Sequence, residues 1–380
     1  MKKSILMVTE EMIPSFRRFC ITERSAEFSS RDFDVHLAYI ASNKESYKFR
    51  GIKKHPVRMG WNQFNAIDRV SAQAKLFRKT MEVCMNEKID LVYGWWLPTY
   101  LACRLTRKKL VTDMPEFGEE MYRTFSFPMK KIIANTIYNY QMDAANYSEA
   151  VIVESEAAAR IWQRRGIAKE KLHVLPYGVE VEKFYKAKAG ISRKRFGIPE
   201  DEPMLLFYGD MGYDDGVDIL LRAIKGMDVW CLCIGDGPSG YMKKLKKLAS
   251  KKTVFSNWIY YQDIPSIVKS SDICVSPFRS TKYSNTTFPL KITESMAAER
   301  PVISSRLMAL TEQMRDGYNI KFFKPGSVSD LRNSIKRLLA SDSTRRKIGR
   351  NAKKTAFKKF DWMIRAKAEK EIFKISLGMD

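Results

Sequence analysis

The sequence predicts an α/β protein made of two doubly wound, parallel-sheet (Rossmann-like) domains. Two observations lead there. Short runs rich in β-branched and aromatic residues alternate with helical patterns along the chain. Those runs also fall into two sets, parted by the polar stretch YKAKAGISRKRFGIPEDEP (Tyr185–Pro203), which Gly and Pro punctuate as in a linker. In the first set, strands are expected at Ser4–Thr9, Val35–Ile40, Leu91–Trp95, Leu110–Asp113 and Ala150–Glu154. In the second they are expected at Met204–Tyr208, Val229–Ile234, Thr253–Ser256, Ile273–Ser276 and Val302–Ser305. Helical patterns fill the gaps, and a last one runs from about Asp361 to Ser376. The expected division is residues 1–184, 185–360 and a closing helix within 361–380.

Composition narrows the possibilities. A chain of 380 residues with 45% hydrophobic residues has the length of two or three domains and ample material for their cores. No apolar run approaches the roughly 18 residues of a spanning helix, and Met1-Lys2-Lys3 leads directly into a short strand. A soluble or peripheral cytoplasmic protein is therefore expected. The six cysteines show no CxxC or zinc spacing and read as reduced core residues.

The net charge of +24 implies attraction to polyanions or to an anionic membrane face. Arg104, Arg107, Lys108 and Lys109 form one basic group, while Lys130 and Lys131 lie within an apolar, aromatic stretch from Phe125 to Tyr140. That stretch reads either as a lipid-interface segment or as a half-buried helix with a solvated basic face. A third basic run, MKKLKKLASKKT from Met242, fits a plain exposed helix face. No nucleic-acid partner is expected, because no recognition helix, zinc module or RNA-binding aromatic motif accompanies the charge.

The segment FPLKITESMAAERPVISS (Phe288–Ser305) carries the most chemistry. A polar loop, Ser284 to Thr287, leads through Pro289 and Leu290 into a helix and then a strand. The first N–H groups of such a helix lack internal partners, and with the helix dipole they suit a diphosphate. Glu294 lies about one turn in, where its carboxylate can accept hydrogen bonds from two neighbouring sugar hydroxyls. The plain alternative is a capped surface helix with a solvated Glu. GDGPSG (Gly235–Gly240) also fits G-x-G-x-x-G after a strand. However, Pro238 interrupts the loop, and no acidic residue follows at about twenty positions to hold a dinucleotide ribose.

Around Glu294 the chain resembles the C-terminal signature of glycosyltransferase family 4, retaining enzymes of the two-domain GT-B fold that use nucleotide-activated sugars. MKKSILMVTEEMIP is similar to the family's first strand and loop, and AVIVESEAAARIWQRRGIAKEKLHVLPYGVEVEKF to the end of its first domain. LLFYGDMGYDDGVDILLRAI, CIGDGPSGYMKKLKKLA and SDICVSPF then resemble successive units of the second domain. The resemblance covers nearly the whole chain. It implies an acceptor-side first domain, a nucleotide-sugar-binding second domain facing it across a cleft, and a closing helix that returns to the first domain.

It further implies a nucleotide-sugar donor with no other cofactor or metal, and a glycan or lipid-linked acceptor. Asn285, Thr287, Pro289, Leu290 and Lys291 would contact the donor, with Gly209, Gly235 and Gly237 in the neighbouring loops. The family's Arg and Lys after the second domain's first strand are replaced here by Asp210 and Asp215. Arg279 and Lys282, or Arg17 and Arg18 in the first loop, are candidate compensating cations. Thr286 stands where the family carries an acidic residue, and reads as a hydroxyl ligand or a helix cap. No histidine follows the fourth strand, which leaves Asp113 and Glu116 to orient an acceptor hydroxyl or to act as ordinary strand-end acids. His36, His55 and His173 lie elsewhere, and Asp32-Phe33-Asp34 reads as structural. The departures at 210, 215 and 286 also fit a non-catalytic subunit or regulatory partner that kept the fold.

Overall fold

The computed structural model describes residues 2–12, 21–41, 51–59, 66–114, 117, 130–189 and 191–379. They group into two compact units, one from Met1–Ser15, Cys20–Pro176 and Met363–Asp380, the other chiefly from Tyr177–Trp362.

The first unit is built on a seven-stranded sheet with strands β1 (Ser4–Met12), β2 (Asp34–Ala41), β3 (Ile52–Arg58), β4 (Leu91–Trp95), β5 (Lys109–Asp113), β6 (Ala150–Val153) and β7 (Leu172–Val174). Their order is β3-β2-β1-β4-β5-β6-β7, and every pairing is parallel. The central strands are near-continuous apolar runs because helices cover both faces. One face packs Leu6, Val8 and Val92 beneath Leu76, Val83, Tyr100 and Ala144, and the other packs Ile5, Met7 and Tyr93 against Ala26, Ile372 and Phe373.

Ile372 and Phe373 belong to the closing helix, Trp362–Leu377, whose buried residues Arg365, Ala366, Glu369, Ile372, Phe373 and Ser376 form one stripe. A polar cluster fixes its register. Arg365 pairs with Asp113 and, at 2.6 Å, with Glu369. The Tyr93 hydroxyl lies 3.0 Å from Asp113 and 3.1 Å from Glu369, and Ser25 donates to Glu369. At the surface Lys370 pairs with Asp32 at 2.8 Å, and Asp34 holds Lys53 at the same distance. Both carboxylates of the Asp-Phe-Asp triplet are thus engaged with lysines.

The second unit has a six-stranded sheet with strands β8 (Met204–Tyr208), β9 (Trp230–Ile234), β10 (Thr253–Ser256), β11 (Ile273–Ser276), β12 (Val302–Ser305) and β13 (Lys321–Phe323). The order is β10-β9-β8-β11-β12-β13, again all parallel. Successive strands step outward from β8 to β10, then the chain crosses back to place β11 on the other side of β8. The carboxyl ends of β8 and β11 therefore form a switch point, where loops diverge and leave a crevice.

The polar stretch expected to be a linker is folded into this unit. Arg193 is buried there, donating to the carbonyls of Pro199 and Glu202 (2.7 Å each) and of Ser270 (3.1 Å), and pairing with Asp272 at 2.9 Å. Among the described residues, Cys84, Cys103, Cys231, Cys233 and Cys274 are buried without disulfides. No helix of the described residues is long and apolar enough to cross a membrane.

Candidate functional site

At the switch point of the second unit, two glycine turns meet. Gly209 follows β8 and Gly235 follows β9, both in positive-φ conformations (121° and 134°) that other residues rarely adopt. A Cβ on Gly235 would stand 1.9 Å from the Gly209 carbonyl oxygen, so only glycine lets the loops close on each other. The Gly209 N–H donates to the Ile234 carbonyl (2.9 Å), the Met211 N–H to that of Asp236 (2.9 Å), and Gly237 approaches the Met211 carbonyl in the same way.

Beside these turns begins the helix Leu290–Ala297, which follows β11 in the chain. Pro289 occupies its N-cap in extended conformation and supplies no side-chain hydrogen bond. The leading N–H groups of the helix are therefore left without a side-chain cap at that position, at the positive end of the helix dipole.

Glu294 lies one turn into the helix and is buried. The Tyr208 hydroxyl, at the end of β8, is 3.0 Å from its Oε2 and 2.9 Å from the Lys291 carbonyl. Burial pushes the Glu294 carboxyl up to about 7, against the opposing pull of the Tyr208 and Tyr261 hydroxyls and of Lys291 and Lys183. Near neutrality it can therefore act as an acceptor for hydroxyls or hold a proton. Lys291, in the first turn, pairs with Asp215 (Nζ–Oδ1 3.3 Å), and the other Asp215 oxygen accepts from the Gly212 N–H at 3.0 Å. Burial raises the Asp215 carboxyl, with Asp210 adding to the rise and Lys291 opposing it. Asp210 itself is exposed.

The other candidates are placed differently. Arg279 is committed to Asp218 (2.9 Å) and to the Tyr213 carbonyl, with its guanidinium 3.8 Å over the Tyr213 ring. Lys282 is exposed. Thr286 does not cap the helix: its hydroxyl donates back to the Tyr283 carbonyl at 2.8 Å, as that of Thr287 does at 3.1 Å. Asn285 ties the loop together, donating to Ser280 and Thr281 (2.8 Å each) and accepting from the Met308 N–H at 3.1 Å. Asp113 belongs to the first unit, where Arg365 and Tyr93 enclose it beneath the closing helix. That buried ion pair removes it from the strand-end surface on which it was expected to meet an acceptor. Glu116, Arg17 and Arg18 lie outside the described residues. Sequence reasoning missed Tyr208, whose only signal is a polar atom at the last position of the apolar run MLLFY.

The family model described as Glycosyltransferase Family 4 matches residues 20–183, and the model described as Glycosyl transferases group 1 matches residues 189–355. An uncharacterised glycosyltransferase of Methanocaldococcus jannaschii is 31% identical over 161 residues, 41% of this chain and 44% of that protein. The chain thus spans about half the length of the first curated relatives it matches, 44% and 48%. Sucrose-phosphate synthase from Thermosynechococcus elongatus superposes with a TM-score of 0.81 at 16% identity, covering 99% of this chain and 100% of that one. Anabaena HepE, solved with UDP and glucose, gives 0.74 at 17% identity, covering 98% and 100%. These two likenesses show the fold.

The raised Glu294 carboxyl gives a pH-dependent prediction. The folded chain binds this proton more tightly than the unfolded chain, so stability falls as pH rises from the ordinary value of 4.5 through about 7. Glu294→Gln removes that loss. Its stability relative to wild type should improve by about 3 kcal/mol between pH 4.5 and pH 8, measured by urea denaturation, whereas a difference independent of pH would contradict the burial argument.

Proposed function

The chain belongs to the family 4 glycosyltransferases and has their GT-B fold, and on that premise we propose that it moves a sugar from a nucleotide-sugar donor to a hydroxyl of a glycan or lipid-linked acceptor, with retention and without a metal. The observation that carries this reading is Glu294, buried one turn inside a helix whose N-terminus opens at the switch point. The helix N–H groups suit the donor diphosphate, and Glu294 suits the sugar hydroxyls. UDP, the nucleotide solved with HepE, is the first donor nucleotide to try.

In the proposed reaction the bond between the sugar C1 and the diphosphate oxygen breaks, the acceptor oxygen bonds to C1, and the acceptor proton passes to the leaving phosphate. Helix N–H groups stabilise the charge that develops on the departing diphosphate. Glu294→Gln, which lacks the pH-dependent loss of stability described above, should lower turnover on the order of a hundredfold in a nucleoside-diphosphate release assay, while EDTA leaves wild-type turnover unchanged. Full activity in the variant would remove Glu294 from the site.

Asp210 and Asp215 favour a second reading, a non-catalytic subunit whose donor site is closed by carboxylates. Binding of a nucleotide sugar without turnover, or no binding, would favour it.

The features that support a lipid-linked acceptor and a membrane-peripheral location in this proposal lie in the first unit. Helices Trp96–Thr106 and Lys130–Tyr147 pack through Tyr100 and Tyr140, and expose Leu105 (65%) and Ile132 (63%) with Arg104, Arg107 and Lys131. Aliphatic and cationic groups side by side suit an anionic lipid surface. The chain should float with phosphatidylglycerol vesicles and not with phosphatidylcholine, and Leu105→Asp should weaken flotation; equal behaviour with both lipids would contradict this.

A further inference from the structure

We infer that Lys291 supplies the cation for the donor diphosphate and that Asp215 is a positioning residue which holds it there until the donor binds. This rests on the nucleotide-sugar reading above. Arg279, one of the four compensating cations the sequence suggested, is occupied by Asp218 and Tyr213. Lys291 instead lies at the helix N-terminus, so its charge and the leading N–H groups arise at the same end of one element.

Its position is constrained on several sides. The ammonium lies 4.6 Å from the Phe207 ring and 4.7 Å from the Phe278 ring, and a Cβ on Gly209 would come within 2.9 Å of it. Asp215 completes the enclosure at 3.3 Å, itself fixed by the Gly212 N–H. The carboxylate at 215 therefore has a use that its charge alone conceals: it stops a largely buried lysine from being left unpaired in the free protein. A diphosphate brings stronger, multivalent negative charge to the same ammonium and competes with Asp215 for it.

Calorimetry of the full chain with UDP, GDP and ADP, and with uridine, guanosine and adenosine, tests this. For the nucleotide that wild type binds, Lys291→Met should weaken affinity at least tenfold while the affinity for its nucleoside is unchanged, and Lys291→Arg should restore part of the loss. Asp215→Asn, which keeps the acceptor oxygen but removes the competing charge, should tighten diphosphate binding several-fold, an effect that a purely structural role does not give. If Lys291→Met folds poorly with Asp215 unpaired, the double variant Lys291→Met/Asp215→Asn replaces it, with the same expected loss. Wild-type affinity in Lys291→Met or in the double variant, or unchanged or weaker binding in Asp215→Asn, would overturn the inference alone. Absence of nucleoside-diphosphate binding by wild type would overturn the donor reading and this inference together.

Discussion

The close approach of the Gly235 turn to the Gly209 carbonyl sets the geometry on which the candidate site depends. Parallel strands deliver their carboxyl ends to one edge of the sheet, and the change of direction between β8 and β11 marks the place where open sheets of this kind bind ligands. Without side chains on those turns, backbone packs on backbone, and Lys291 can reach over Gly209 from the neighbouring helix. Glu294 follows on the same helix, held by a tyrosine at the end of β8. Backbone shape and side-chain chemistry are thus fixed by the same few residues.

The site carries charges that weigh against stability. Glu294 is buried with only part of its charge offset, and Asp215 and Lys291 are both largely removed from water. Hydrophobic residues of similar size would stabilise the fold at least as well, so stability does not account for this arrangement. The donor proposed above, rich in hydroxyls and phosphate, would supply hydrogen-bond and ionic partners for these groups. The Arg365 cluster in the first unit differs: its partners are within the protein, and it anchors the closing helix to the sheet.

Much of the fold was legible because buried parallel strands are apolar throughout; β4, β8, β10, β11 and β12 begin and end where the sequence places them. The strands it missed, β3, β7 and β13, all lie at sheet edges. β3 is polar and contains Pro56, which an edge tolerates, while β7 and β13 have three residues each and too little pattern to read. The helix that carries Glu294 and the glycine turns after β8 and β9 were legible from local motifs. Pairings across the sequence were not: Asp113 meets Arg365 and Arg279 meets Asp218 only through the folded topology. The sequence showed which charges exist, and the fold decides which of them already neutralise one another.

Hydrogen–deuterium exchange of the full chain, with and without a bound nucleotide sugar, is the most direct check that the loops at the switch point form the donor site. Slower exchange is expected in peptides covering Gly209–Gly216, Gly235–Gly237 and Asn285–Glu294. Binding that leaves these peptides unprotected, with protection elsewhere, would contradict it.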